Sequence, residues 1–221
     1  MGVEGRRRAN KNTAAMPPGL HWSGLHRSAR QVATLVFAVV LLADLLLIAL
    51  DYEEHGLSGI TGGYYLVDFW DVVKALGAGA ALLVAAQRGR SNAIRVLAVV
   101  FILLAIEDLI TLHGLFGYVL KALSGGLVPR RLGELIAFSG FGLLVFGLVW
   151  TGNPPRDRQL RQARLVVTAL LVALFFFTAV VDYLNTDKVV SYLSLLEESG
   201  ERFVITLTIA YAAGLAMIRG G

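Results

Sequence analysis

The first apolar stretch of the chain, VATLVFAVVLLADLLLIAL, runs from residue 32 to residue 50 with Asp44 as its single charge. A helix needs about 20 such residues to cross the roughly 30 Å hydrocarbon core of a bilayer, and similar stretches recur along the chain. With 56% hydrophobic and 16% charged residues, the composition falls short of the charge, about 25%, that is usual in soluble domains. These features predict a membrane protein.

Hydropathy over windows of about 19 residues predicts an all-α fold, a polytopic six-helix transmembrane bundle. The spans are predicted at roughly 31–50, 66–86, 93–113, 132–150, 164–184 and 200–218. They form one domain, 31–218, after a basic N-terminal tail, 1–30. The third span is expected to end at His113, because Gly114 follows it. The stretch SYLSLLEESGER is either an interfacial helix or the beginning of the sixth span.

The lysine and arginine residues divide unevenly between the two ends of these spans. The N-terminal tail, the loops after the second and fourth spans and the C-terminal end together carry 14 of the 20. The positive-inside rule places that side in the cytoplasm, so both termini are predicted to be cytoplasmic. The first span is too long for the apolar core of a signal peptide, and we expect it to be retained. The predicted location is the cell membrane, specifically the bacterial inner membrane.

The acidic residues show the opposite distribution, although the topology rule places little constraint on acids. Fourteen of the 16 lie in outer loops or in the outer half of a span. Every span carries at least one of them, and six helix ends in one leaflet are neighbours in a compact bundle. The sequence therefore predicts a pocket of carboxylates that faces the outer surface.

Two interpretations of these acids stay open. Solvated helix ends and a few internal ion pairs explain Asp51 and its loop neighbours well. They explain Asp44, Glu107, Glu134 and Asp182 poorly, because a charge at the centre of a bilayer costs roughly 2.5–3.5 kcal/mol on insertion scales. The second interpretation is that the acids inside the spans form a functional site.

Helical spacing predicts ion pairs within the spans. Lys74 follows Asp71 by three residues, which places both on one helix face. Glu198 and Glu201 have the same spacing and are able to share a hard cation. Arg202 follows Glu198 by four residues and is an alternative partner for it.

A carboxylate-rich site with one histidine suits a divalent metal ion such as Mn, Fe, Ca or Zn, although the absence of cysteine argues against a structural zinc site. Glu107 and Asp108 are the predicted catalytic carboxylates. The predicted metal ligands are His113, Glu134, Asp182, Glu198 and Glu201. Further polar residues inside the spans are Asp44, Asp71 and Lys74. No haem is expected, because no histidines face each other within spans.

Three functions are compatible with this pattern. The first is a cation- or metal-binding site at the outer face, where a metal activates water against a membrane-embedded, lipid-like substrate. The second is a proton- or cation-coupled transporter, although the inner halves of the spans contain almost no polar groups. The third is an accessory or scaffold subunit that binds a partner membrane subunit. Neither nucleotide nor nucleic-acid binding is expected, since no nucleotide-binding motif is present.

Overall fold

The computed structural model describes residues 27–56, 65–110, 112–151, 154–155, 157–185 and 192–217, and the regular secondary structure in these ranges is helical throughout. The helices are α1 (Arg27–His55), α2 (Tyr65–Gly89), α3 (Asn92–Ile110), α4 (Leu112–Leu123), α5 (Arg130–Trp150), α6 (Arg158–Phe175), α7 (Asp182–Leu184) and α8 (Tyr192–Ala216). A π-helical segment, Phe176–Val181, joins α6 to α7. The predicted all-α class is confirmed. Most of the predicted basic tail lies outside the described residues.

Four of the described helical segments are long and apolar enough to cross a membrane: Arg27–His55, Leu66–Arg88, Arg130–Trp150 and Arg158–Val181. They correspond to the first, second, fourth and fifth predicted spans. Much of their surface is apolar and exposed, as with Leu35 and Leu42 on α1, which are 65% and 58% exposed. Exposed side chains of this kind are suited to contact with lipid chains.

The helices α3 and α8, which correspond to the third and sixth predicted spans, have a different character. Their apolar stretches are interrupted by charges, among them Arg95 and Glu107 in α3 and Arg202 in α8. Both helices are central in the bundle: α3 packs on α2, α5 and α6, and α8 packs on α1, α2 and α6. The helix α8 buries polar side chains, among them Arg202 and Thr206, whereas the buried side chains of α3 are apolar.

A large part of the apolar core lies along α2, which packs on both α3 and α8. Leu82 of α2 and Leu97 and Phe101 of α3 are completely buried. Small residues allow close approach of the helices at this point, including Ala78 of α2 and Ala212 of α8, which have no exposed surface. Packing through small residues is a general means of association between helices in membranes.

The predicted end of the third span is wrong in detail. The helix α3 ends at Ile110, and a new helix, α4, begins at Leu112 and continues through Gly114 to Leu123. Gly114 is therefore not a helix-terminating glycine. A Cβ at this position would lie 3.1 Å from Nη2 of Arg130, so the glycine allows α5 to approach α4 closely.

The stretch SYLSLLEESGER is the beginning of the last helix and not a separate interfacial element. The helix α8 is continuous for 25 residues from Tyr192. Its first three turns carry Glu197, Glu198 and Glu201. These acids therefore belong to the same rigid helix as the buried residues of its apolar part.

Candidate functional site at the acidic end of the bundle

The most deeply buried charge among the described residues is Lys74 of α2, whose side chain has no exposed surface. Its Nζ lies 2.8 Å from Oδ1 of Asp44 on α1 and 2.6 Å from Oδ1 of Asp71 on α2. It also donates a hydrogen bond of 3.3 Å to Oγ1 of Thr206 on α8. The predicted pairing of Lys74 with Asp71 is confirmed, and the same ammonium group connects three helices.

Asp44 has further partners around its carboxylate. Nε1 of Trp70 donates to Oδ1 at 2.8 Å, and the Thr206 hydroxyl donates to Oδ2 at 2.6 Å. Asp44 is only 6% exposed. A buried charge is costly unless it is paired and hydrogen-bonded, and these contacts compensate the lost hydration of the carboxylate. The charge of Asp44 is therefore compensated inside the bundle.

Arg202 of α8 extends these contacts toward the start of that helix. Its Nε donates to Oδ2 of Asp71 over 3.4 Å, and its Nη2 donates to Oε2 of Glu198 over 2.9 Å. The predicted Glu198–Arg202 pair is therefore present. We call Asp44, Asp71, Lys74, Glu198 and Arg202 the ion-pair network. It contains three acids and two bases and connects α1, α2 and α8.

A second polar feature lies beside the network, between α3, α5, the π-helical segment and α8. It is a cavity of about 70 Å³ lined by Glu107 and Asp108 of α3, Glu201 of α8 and Thr178 of the π-helical segment. Its other walls are largely apolar, including Phe101 of α3. A volume of this size admits several water molecules, each of which needs roughly 10–15 Å³. We call it the acidic cavity.

The π-helical segment positions one wall of the acidic cavity. The Thr178 hydroxyl donates to the carbonyl of Leu174 at 3.0 Å, and Thr178 lines the cavity together with Glu201. Phe177, the residue before Thr178, packs on Gly200 of α8. A Cβ at Gly200 would lie 2.6 Å from Cγ of Phe177. π-Helical turns are rare and occur frequently at functional sites.

The predicted site residues are thus divided among different places. Glu107, Asp108 and Glu201 line one cavity, whereas Glu198 belongs to the ion-pair network. Glu134 is in neither feature, because its Oε1 accepts from Nε of Arg130 at 2.7 Å. His113 and Asp182 lie in α4 and α7, but their side chains are outside the part of the chain that the structure describes.

The Arg130–Glu134 pair belongs to the hairpin of α4 and α5. Nη1 of Arg130 also donates to the hydroxyl of Tyr118 at 2.8 Å, and the guanidinium carbon lies 4.2 Å from the centre of the Tyr118 ring. Gly133 allows this hairpin to close, since a Cβ there would lie 3.2 Å from Cα of Gly117. Glu134 therefore has a structural partner on its own helix.

Among the described residues, no group of three or more histidine and acidic side chains is arranged to hold a metal ion. Coordination of a divalent cation by protein oxygens requires several ligand atoms at about 2.0–2.6 Å from one point. The carboxylate oxygens available at the acidic cavity come from Glu107 and Asp108 of α3 and from Glu201 of α8.

Several contacts could not be expected from the sequence. Trp70 carries no signal of its role in the sequence, yet its indole Nε1 donates to Oδ1 of Asp44. Thr206 and Thr178 are hydroxyl residues in apolar surroundings, and such residues were not singled out. Asp51 was expected to be solvated, but it is 4% exposed, and its Oδ2 has no hydrogen-bond partner within the described ranges.

Comparisons with known proteins give no family for the chain. No protein-family model matches it, and neither a curated protein nor a solved structure shows significant similarity to it.

We expect Gly200→Ala to lower the thermal unfolding midpoint of the detergent-purified protein. The added Cβ overlaps the Phe177 ring, and overpacking of this kind costs about 1–3 kcal/mol, against about 1 kcal/mol gained in helix propensity. Gly140→Ala is the matched control, since no atom lies within 4 Å of a Cβ there. Equal midpoints for the two variants would contradict the close packing of Gly200 against the π-helical segment.

Proposed function

We propose that the chain is a six-span protein of the bacterial cell membrane with both termini in the cytoplasm. Four apolar helices are long enough to span. At about 1.5 Å per residue, the 19 residues of α3 extend roughly 28 Å, and α8 with 25 residues is longer. Arg202 of α8 is buried by neighbouring helices, and the charges of α3 lie near its two ends, with Arg95 in the first turn and Glu107 in the last. With the basic loops inside, the ion-pair network and the acidic cavity lie in the outer half of the membrane.

Single-cysteine labelling tests this topology, because the natural chain contains no cysteine. Leu127 and Arg158 are exposed. Leu127 precedes α5, and Arg158 is the first residue of α6, so the two lie at opposite ends of α5. In intact cells stripped of any outer membrane, a membrane-impermeant maleimide is expected to label Leu127→Cys and to leave Arg158→Cys unlabelled until lysis. Labelling of Arg158→Cys before lysis would overturn the orientation.

We further propose that the acidic cavity binds a cationic group of a membrane-embedded ligand. The observation that carries this proposal is that three carboxylates, Glu107, Asp108 and Glu201, from two different helices line one small cavity with mainly apolar walls. All the charged side chains among its described lining residues are acidic. Charge–charge interactions are stronger in such apolar surroundings than in water.

The lining of the cavity favours an ammonium group as the bound cation, because its carboxylates come from two helices and its other walls are largely apolar. An ammonium carries three hydrogen-bond donors and binds separate carboxylates through charge-assisted bonds of about 2.7–2.9 Å. The ligand class is an amine whose remaining part is apolar, as the other lining residues require.

Binding of a long-chain amine tests the charge recognition. In lipid nanodiscs, hexadecylamine is expected to bind the wild-type protein more tightly than hexadecanol, which has the same chain and no charge. Glu201→Gln is expected to weaken amine binding at least about tenfold, equivalent to about 1.4 kcal/mol, without changing hexadecanol binding. Glu134→Gln is the matched control and should bind like wild type, because Glu134 pairs with Arg130 outside the cavity.

Equal affinity of the amine and the alcohol, or an unchanged affinity in Glu201→Gln, would overturn the proposal.

A divalent-metal hydrolase remains the second candidate, because the same carboxylate oxygens are ligands for hard cations. A Mn²⁺ titration of the same three proteins, followed by the spin-resonance signal of free Mn²⁺, separates the two. The wild-type chain could bind one Mn²⁺ that displaces the amine and is not bound by Glu201→Gln. That result would show that the cavity binds a metal ion instead of an ammonium group.

A further inference from the structure

An apolar groove of about 370 Å³ runs between α3, α5 and α6. Its walls include Leu97 of α3, Val149 of α5 and Thr168 of α6. The volume falls within the usual range for small-molecule sites, about 300–1,000 Å³. Neither α1 nor α8 contributes to the described lining, so the groove is separate from the ion-pair network.

The groove adjoins the acidic cavity. Four residues line both spaces, namely Gly142, Val145, Leu171 and Phe175. Along α3, the lining extends from Glu107 at the cavity to Leu97 in the groove, and ten helical residues extend about 15 Å. That length is half of a hydrocarbon core of about 30 Å and therefore the depth of one leaflet.

The mouth of the groove opens to the lipid-facing surface of the bundle. Leu143 and Phe146 of α5 and Val172 of α6 line it and are 73%, 51% and 58% exposed. In the proposed membrane orientation, hydrocarbon surrounds these side chains. A ligand is thus able to enter sideways from the bilayer with its chain in the groove and its polar end toward Glu107.

We infer that the groove holds the single hydrocarbon chain of an amphiphile whose ammonium head lies in the acidic cavity. This inference rests on the proposed cation recognition and specifies its ligand as a long-chain amine. The acidic cavity is complementary to the charged head of such a molecule, and the groove is complementary to its hydrocarbon chain. The carboxylates complement the positive charge, and the apolar walls of the groove complement the chain.

Gly142 provides a direct test, because it lies where the cavity and the groove meet. A Cβ at this position would lie 3.9 Å from Cδ2 of Phe175, an ordinary contact, so a larger side chain extends into the empty space. Gly142→Leu is expected to weaken hexadecylamine binding at least tenfold. Gly147→Leu on the same helix is the control, since Gly147 lines neither space and no atom lies within 4 Å of a Cβ there.

A second pair of variants covers the case in which Gly142→Leu does not fold. Val172→Trp narrows the mouth of the groove from an exposed position and should also weaken amine binding. Leu165→Trp on the same helix is 53% exposed, lies outside the groove lining and should bind like wild type. Unchanged amine affinity in either folded groove variant would overturn the inference.

The two proposals fail in different ways in this experiment. If Glu201→Gln weakens amine binding but Gly142→Leu and Val172→Trp do not, the cavity recognises the charge and the chain lies elsewhere, so the groove inference is wrong. If the groove variants weaken hexadecanol and hexadecylamine equally while Glu201→Gln changes neither, the proposed cation recognition is wrong and the ligand is not an amine.

Discussion

The arrangement of the acidic end depends on one buried ammonium group. Lys74 is in contact with carboxylates of two helices and a hydroxyl of a third. Removing one partner of a buried pair leaves an uncompensated charge, which costs about 3–5 kcal/mol. The rotations of α1, α2 and α8 about their own axes are therefore coupled, because each must present its polar side chain to the same point.

That coupling has a consequence for the acidic cavity. Glu198, Glu201 and Arg202 occupy one turn of α8, so the contacts of Arg202 with Asp71 and Glu198 also determine where the Glu201 carboxyl group lies. The ion-pair network is a structural element that orients α8, and the cavity is the proposed ligand site. The acids at this end of the bundle therefore lie in two different environments, although their sequence contexts are similar.

The spacing of charged residues along single helices explains which ion pairs could be predicted from the sequence. Pairs three or four residues apart on a helix must be neighbours, and both Asp71–Lys74 and Glu198–Arg202 are present. Apolar runs of sufficient length identified the helices. The contact between Asp44 and Lys74 joins residues 30 positions apart, and its prediction needs the rotation of each helix. A helix that is apolar around its whole circumference has no periodicity from which that rotation can be determined.

Two local features also escaped prediction for physical reasons. Gly114 has its role in packing against α5 instead of in ending a helix. The π-helical segment at Phe176–Val181 contains five apolar residues and Thr178, so its wider turn has no marker in the sequence. This segment contributes Thr178 to the acidic cavity.

A double-mutant cycle at Asp44 and Lys74 tests the central claim most directly, with unfolding free energies measured for Lys74→Met, Asp44→Asn and the double variant. The account predicts that Lys74→Met alone costs about 3–5 kcal/mol and that the two single effects are non-additive by at least about 1 kcal/mol. The cycle of Arg130→Met with Glu134→Gln, where the Arg130 side chain is 44% exposed, should give less than about 1 kcal/mol of coupling. Additive effects at Asp44 and Lys74, within about 0.5 kcal/mol, would contradict the claim that this buried contact holds the acidic end together.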